Sequence, residues 1–235
     1  MGKNKNAQMI FRSAYCALGI LAVVASFGIF EDVYNIRWDF YIYFTNLSNY
    51  LCLGIMVAEL IASAKQKEDG YTRACPTLKF VGLVAIVLTF LVFNFLLAGE
   101  NGRDPLRNWE INSVLLHVIL PIMYVVDWIV FDERGKTKWA DVLSAVWFPA
   151  IYFIFIIIHA ALLGFDTSIA NALGNPPLIY PYFFLNFERQ QVSGVAKWLM
   201  IIIAAIIFIG VIFVLIDKAL SKKSKQQNNN LGEKI

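Results

Sequence analysis

Apolar residues are grouped along this chain in long blocks separated by short polar connections. Six blocks are apolar over about twenty residues or more, which is the length a helix needs to cross the hydrocarbon core of a bilayer. They cover residues 8–30, 40–64, 77–98, 113–131, 139–163 and 195–217. This pattern predicts an all-α polytopic membrane protein with a six-transmembrane-helix bundle over residues 1–217, followed by a disordered cytoplasmic tail at 218–235.

Composition and charge agree with the apolar blocks and add an orientation. The 235 residues are 59% hydrophobic and 16% charged, whereas soluble domains carry about 25% charged residues. Most Lys and Arg residues fall in the N-terminal segment, in the connections after the second and fourth blocks, and in the tail. Cytoplasmic segments are enriched in these residues, so both termini are expected in the cytoplasm. The net charge of +3 therefore reflects topology, and no nucleic-acid partner is expected.

A polar cluster interrupts the second block in its first third. Thr45, Asn46, Ser48 and Asn49 lie within five residues, and Glu59 follows near the other end. Helical spacing predicts one polar face, made by Thr45, Ser48, Asn49, Cys52, Met56 and Glu59. Polar side chains are costly in lipid, so this face is expected to point into the bundle or into a cavity. Interhelical hydrogen bonds would explain each residue alone, but their density indicates a functional site.

Both histidines are predicted at the depth of this cluster. The second and fourth blocks enter the membrane from outside, which places Thr45 about 7 Å and His117 about 6 Å below the outer helix ends. His159 falls near the outer end of the fifth block, and Asn94 near the outer end of the third. We therefore expect Asn94 and His159 to line one cavity with Thr45 and His117, with Asn46, Ser48 and Asn49 as further supporting groups.

The carboxylate of Asp127 is not predicted to take part in this site. It follows His117 by ten residues on the same helix, which places it roughly 15 Å deeper in the membrane. We interpret it as a structural group, paired with Arg134, Lys136 or Lys138. A chain with two histidines and acidic residues mainly in connections offers a poor ligand set, so neither a metal site nor a cofactor is predicted.

A hydroxyl and an imidazole at one depth are the minimal parts of a nucleophilic hydrolase or acyltransferase. An unprotonated imidazole within hydrogen-bond distance can take the hydroxyl proton during attack. The sequence contains no Gly-x-Ser-x-Gly elbow, no HExxH and no Gly-rich phosphate loop. The same polar residues could instead line the cavity of a transporter or of a lipid- or ligand-binding membrane protein, with Glu59 and Asp127 supplying polarity on the inner side.

Four short segments carry a family resemblance, in the order YFTNLSN, LLHVILPIMYVVDW, IHAALLG and IYPYFF. They are similar to segments of the androgen-induced-gene and androgen-dependent TFPI-regulating membrane proteins and their six-span bacterial relatives. Animal members of that family are threonine hydrolases that cleave fatty acid esters of hydroxy fatty acids with one Thr and one His. The resemblance implies that Thr45 is the nucleophile and His117 the general base. The residues after Thr45 depart from the animal pattern, as does the longer connection after the fifth block.

An aromatic segment, Leu178 to Phe187, precedes the last block. Its Pro and aromatic residues disfavour regular structure, and we expect it to cover the water side of the site with Tyr180 and Tyr182 among the cavity-lining residues. The expected partner is a membrane lipid or lipid-ester substrate that arrives sideways from the outer leaflet. Its acyl chain is predicted to run from Thr45 toward the lipid face or deeper into the bundle, past Cys52 and Met56.

The expected location is a bacterial inner (plasma) membrane, with the site toward the outer face. The compact, Lys- and Asn-rich termini favour a bacterial source.

Overall fold

A computed structural model of the chain describes residues 4–27, 40–72, 74–99, 105–164 and 179–232. Six long helices account for most of them, and each contains an apolar window long enough to cross a membrane. These are α1 Lys5–Ser26, α2 Phe44–Lys65, α3 Pro76–Leu97, α4 Ile111–Phe131, α5 Trp139–Leu162 and α6 Phe187–Gly232. The described residues contain no strand. The prediction of an all-α polytopic bundle is therefore confirmed.

The last helix departs from its predicted bounds at both ends. It begins at Phe187 with a non-helical residue at Gln191, and it continues to Gly232, where the sequence predicted a disordered tail from 218 onward. The extension is rich in Lys and Gln, which are good helix formers, and it contains no proline. Propagating a helix that already exists needs no new nucleation, so the polar end continues the apolar span.

Two helices contain a π-helical stretch at the same end of the bundle. Phe93–Leu97 forms the end of α3, and Leu115–Ile119 lies in the first third of α4. π-Helical turns inside α-helices occur frequently at functional sites. His117 lies in the second stretch, and its ring stacks on that of Phe93 in the first, with ring centroids 3.4 Å apart and an interplanar angle of 9°.

Five charged side chains of low exposure join the first four helices at the end of the bundle where the connection between α4 and α5 lies. They belong to Arg12, Glu59, Lys79, Asp127 and Asp132. Arg12 Nε donates to Asp127 Oδ1 at 2.8 Å, while Lys79 Nζ lies 2.6 Å from Asp127 Oδ2 and 2.5 Å from Asp132 Oδ1. Four of these side chains are at most 1% exposed and that of Asp132 is 13% exposed. A buried charge persists only when it is paired, so the cluster fixes the register of these helices.

The sequence-based prediction of the Asp127 partners is wrong. It named three basic residues of the connection between α4 and α5, namely Arg134, Lys136 and Lys138. In the structure Arg134 NH1 lies 3.5 Å from Asp217 Oδ1, and Lys136 pairs with Glu133 at the surface. Cations on neighbouring helices reach Asp127 instead, because helix packing brings α1 and α3 to its depth.

The connection between α4 and α5 is held against α6 by Asp217. This carboxylate is 1% exposed and accepts hydrogen bonds from the backbone N–H groups of Gly135 and Thr137, at 2.9 Å each. Gly135 has a φ of 77°, and a Cβ at this position would lie 2.5 Å from Ser221 Oγ. The left-handed backbone and the close contact with α6 both require glycine here.

We expect Gly135→Ala to destabilise the protein, because an L-residue pays about 1–2 kcal/mol for left-handed backbone. The matched control is Gly54→Ala, a helical glycine whose added Cβ would meet nothing within 4 Å. Removing that helical glycine is expected to leave stability unchanged or raise it slightly. Thermal unfolding of the purified protein should show a lower midpoint for Gly135→Ala only, and equal midpoints would contradict the proposed constraint.

Candidate active site

The polar face of α2 lies inside the bundle, as its spacing predicts. Ser48, Cys52, Met56 and Glu59 are 0% exposed, and Asn49 is 3% exposed. Thr45, at the outer end of the same face, is 9% exposed. The prediction that this face avoids lipid is confirmed, and the outer end of the face is the part that meets a cavity.

A cavity of about 290 Å³ adjoins the first turn of α2. Its wall comes from α2, α3, α5, α6 and the segment before α6. Four of the described lining residues carry a hydroxyl, namely Thr45, Thr89, Tyr152 and Tyr182, and the others are apolar. Such a wall suits an apolar ligand that presents a polar group at Thr45.

The cavity reaches the outer surface of the bundle between α5 and α6. Ile154 and Ile203 both line the cavity, and they are also 57% and 42% exposed at the surface of the bundle. Exposed isoleucines on membrane-spanning helices face lipid, so this opening faces the bilayer. Of the two predicted directions, the deeper one past Cys52 and Met56 is wrong: neither residue lines the cavity, and Cys52 Sγ lies 3.4 Å from the Gly82 carbonyl of the facing helix.

The aromatic segment before α6 forms part of the cavity wall next to Thr45. Tyr182, Phe184 and Leu185 line the cavity, and the rings of Tyr182 and Phe184 stack with centroids 5.1 Å apart. Leu178, the predicted start of the segment, lies outside the described residues. The described part of the segment does lie over Thr45, as the sequence predicts.

Thr45 is held by the phenol of Tyr182. The Thr45 N–H donates to the Tyr182 phenol oxygen at 3.4 Å. Tyr43, the residue before α2, makes no side-chain capping hydrogen bond. The first N–H groups of a helix have no partner within the helix, so Tyr182 caps α2 from another part of the chain.

His117 is oriented by the preceding turn of its own helix. Its Nδ1 lies 2.9 Å from the Ser113 carbonyl oxygen and 3.3 Å from the Ser113 hydroxyl. A carbonyl can only accept, so Nδ1 donates, and the neutral ring carries its lone pair on Nε2. This is the tautomer that a general base acting through Nε2 requires.

Two residues join the surroundings of Thr45 and His117. Asn49 Nδ2 donates to the Thr45 carbonyl at 2.8 Å and to the Leu116 carbonyl at 3.2 Å, which holds the first turn of α2 against the turn that carries His117. Phe93 lines the cavity and stacks on the imidazole. Within the described part of the chain, no direct hydrogen bond joins Thr45 and His117.

Asn94 supports His117 from outside the cavity. It is an exposed residue, and its Nδ2 donates to the Phe90 carbonyl at 2.8 Å and to the His117 carbonyl at 3.4 Å. Pro121 has no N–H for the carbonyl four residues earlier, which is that of His117. The amide of Asn94 therefore donates to a carbonyl that Pro121 cannot serve, and its predicted place on the cavity wall is wrong.

The remaining predicted supporting residues also bind elsewhere. His159 packs beside the rings of Tyr41 and Phe155, at centroid distances of 6.0 and 6.2 Å, and is not among the described lining residues of the cavity. Asn46 Nδ2 donates to the Phe40 carbonyl at 2.8 Å. The predicted cavity position of His159 is wrong because α5 turns this ring toward the segment that leads into α2.

Ser48 and Tyr180 are the other two residues that the sequence predicted as cavity-lining or supporting groups. Ser48 shares a 2.8 Å hydrogen bond with Thr89, which lines the cavity. Tyr180 lines a separate surface groove with Phe187.

The prediction from the sequence did not include several residues of the site. Ser113 orients His117, Phe93 stacks on it, and Tyr152 lines the cavity while donating to the Ile42 carbonyl at 2.8 Å. Ser113 lies four residues before His117 on one helix, a spacing that places two side chains on one face and could have identified it. Nothing in the sequence pairs Phe93 or Tyr152 with the site, because both contacts arise from helix packing.

Comparisons of the chain with protein-family models, with curated proteins and with solved structures found no match. The family resemblance remains a prediction that rests on the short motifs. Within the described ranges, no group of three or more His, Cys, Asp and Glu side chains could hold a metal ion.

Proposed function

We propose that this protein is an intramembrane hydrolase that cleaves a lipid ester, such as a fatty acid ester of a hydroxy fatty acid. Thr45 is the nucleophile and His117 is the general base. The observation that carries this proposal is the position of the Thr45 residue on the wall of an otherwise largely apolar cavity that opens toward lipid. His117 is not among the described lining residues, but its ring stacks on Phe93, which lines the cavity, and its Nδ1 hydrogen is directed at a carbonyl, which supports the role of base.

The reaction would proceed in two acyl transfers. Thr45 Oγ attacks the ester carbonyl carbon while His117 Nε2 accepts the hydroxyl proton. The tetrahedral intermediate then expels the alkoxide, which takes that proton and leaves as an alcohol. Water, deprotonated by His117, releases the acid from the acyl-threonine. Catalytic hydrogen bonds often tighten only in the substrate complex, where the Thr45 hydroxyl would turn toward Nε2.

The cavity suits one acyl chain of moderate length. In another protein, an apolar cavity of about 150 Å³ takes a benzene ring. At that volume per carbon, a cavity of about 290 Å³ holds roughly a dozen carbon atoms. The surrounding leaflet supplies chains of this kind without dehydration, and the opening between α5 and α6 is the route by which they would arrive.

His117→Ala is expected to lower turnover of a dodecanoyl ester in nanodiscs by about 10²–10⁴-fold, which is the usual contribution of a positioned base. His159→Ala is the matched control, because the second histidine packs against rings away from the cavity and should retain activity within a few fold. The measurement is release of dodecanoic acid over time. Unchanged turnover in His117→Ala, or an equal loss in both variants, would contradict the assigned base.

Ala150→Trp is expected to obstruct the chain-binding part of the cavity, which Ala150 lines on α5. Loss of burial for two or more methylene groups should raise KM for the dodecanoyl ester more than about tenfold. An acetyl ester, which does not reach this depth, should be affected much less. Ile151→Trp is the control, since the neighbouring side chain is 60% exposed and not among the lining residues. Equal effects on both esters would contradict the proposed chain site.

A second candidate function is binding or transport of the same lipid without cleavage. One observation favours it: the Thr45 N–H donates to the Tyr182 phenol, and no hydrogen bond among the described residues joins Thr45 to the imidazole. A lipid-binding protein or transporter would return the dodecanoyl ester intact after incubation. Release of dodecanoic acid that depends on His117 separates the two candidates.

A further inference from the structure

Cleavage of an ester needs a hydrogen-bond donor for the negative charge that develops on the carbonyl oxygen. The side-chain amides near Thr45 are occupied by backbone carbonyls. Asn46 donates to Phe40, and Asn49 donates to Thr45 and Leu116. Each of these amides satisfies a carbonyl at a helix turn or a helix start, so its use by a substrate would break local structure.

The hydroxyl groups on the cavity wall are the other candidate donors to the carbonyl oxygen of the ester, and most of them are already used. Tyr152 donates its hydrogen to the Ile42 carbonyl at 2.8 Å. Thr89 shares its hydroxyl hydrogen bond with Ser48 at 2.8 Å. Tyr182 is the remaining described lining residue with a hydroxyl besides Thr45 itself, and its phenol touches the nucleophile.

The contacts of the Tyr182 oxygen determine where its hydrogen points. The Thr45 N–H donates to this oxygen at 3.4 Å. An oxygen that accepts from a backbone N–H directs its own O–H elsewhere, and the cavity that Tyr182 lines is the open direction. Donors at a helix N-terminus also polarise the phenol, which strengthens the hydrogen bond that it gives.

We propose that Tyr182 is a further catalytic residue, whose phenol donates a hydrogen bond to the ester carbonyl oxygen during attack by Thr45. The inference rests on the proposed hydrolase function. As the Thr45 Oγ to carbon bond forms, the carbonyl electron pair moves onto oxygen, and the phenol hydrogen stabilises it without being transferred. His117 carries the proton of the nucleophile, so the two residues have separate tasks.

The protonation state of the phenol fits a donor and excludes a base. Burial raises the pKa of Tyr182 above its usual value of 10.0, against the opposite effect of hydrogen bonds from Thr45 and Phe44. The phenol is therefore protonated at neutral pH and has a hydrogen to give. Its position in the segment before α6 means that this donor is brought to Thr45 by tertiary packing.

The test compares Tyr182→Phe with Tyr180→Phe in nanodiscs, with the dodecanoyl ester as substrate. Tyr182→Phe should lower kcat by about 10²–10³-fold with little change in KM, because the lost bond forms mainly in the transition state. Tyr180→Phe removes a neighbouring phenol that lines a separate groove and should retain wild-type kcat. Unchanged kcat in Tyr182→Phe, or equal losses in both variants, would overturn the proposal.

A fluorinated tyrosine at position 182 separates chemistry from helix capping. It preserves the shape and the contacts of the phenol but lowers its pKa, so the donor hydrogen is lost at a lower pH. We expect activity to fall on the alkaline side where wild type remains active; identical pH profiles would overturn the donor role. If wild type itself releases no acid, the proposed function fails, whereas wild-type activity that is indifferent to position 182 removes only this inference.

Discussion

Replacing Thr45 with alanine is expected to abolish both ester turnover and covalent labelling by a lipid-soluble fluorophosphonate. Loss of a hydrolase nucleophile costs about 10⁴-fold or more in kcat, because binding and charge stabilisation alone leave little catalysis. Thr45→Ser should retain measurable activity, since a primary hydroxyl can attack from the same position. The readouts are release of dodecanoic acid and in-gel fluorescence of the labelled protein.

Thr89→Ala is the matched control for this experiment. Thr89 is 3% exposed, lines the same cavity and carries the same side chain, but hydrogen-bonds Ser48. It should remain labelled and active. Labelling that survives in Thr45→Ala and disappears in Thr89→Ala would transfer the nucleophile to the other threonine and refute the assignment made here.

Replacing Asp127 with alanine is expected to cause the largest loss of stability of any single change considered. Arg12 and Lys79 would each lose a contact shorter than 3 Å while staying buried. Removing one partner of a buried ion pair typically costs about 3–5 kcal/mol. Arg12 keeps Glu59 and Lys79 keeps Asp132 as partners, so we expect a loss at the lower end of that range. The midpoint of thermal unfolding should fall by roughly 10 °C for a chain of this size.

Glu133→Ala provides a control at the same end of the bundle. Glu133 pairs with Lys136 at 3.4 Å, but the two side chains are 43% and 49% exposed. Exposed pairs contribute little, so the midpoint should hardly change. Similar midpoints for Asp127→Ala and wild type would show that the inner charge cluster is not needed for stability.

The fold was predictable because each helix must by itself be long and apolar enough to cross the bilayer. Length and apolarity identify the six spans, and the burial of the α2 face follows from helical spacing alone. The tail was not predictable in this way. Its Lys, Gln, Asn and Ser residues suit both a disordered segment and the polar extension of an existing helix, and the structure shows the helix to Gly232.

Helical rise predicts how deep a residue of the site lies, but not which neighbour its side chain contacts. Rise per residue placed Thr45 and His117 at one level, and Asn49 joins the turns that carry them. Depth along a helix does not say which neighbour a side chain meets. Asn94 and His159 were predicted at the same level, and the structure turns them to a backbone carbonyl and to aromatic rings.

The inner charge cluster and the cavity depend on packing for the same reason. Arg12 is separated from Asp127 by more than a hundred residues, and no local pattern indicates that they pair. The cavity is the space left between α3, α5 and α6, so its position depends on how three helices fit together. The apolar residues of the cavity wall can be recognised in the sequence, but the position of the cavity opening cannot.

The most direct test of the central claim is peptide mass spectrometry after reaction with the lipid-soluble fluorophosphonate in nanodiscs. Thr45 would be the single modified residue, and prior incubation with the dodecanoyl ester would slow its modification. An adduct on Ser48, Thr89 or Ser113 with Thr45 unmodified would contradict the account. So would release of dodecanoic acid from a protein that never forms a covalent adduct.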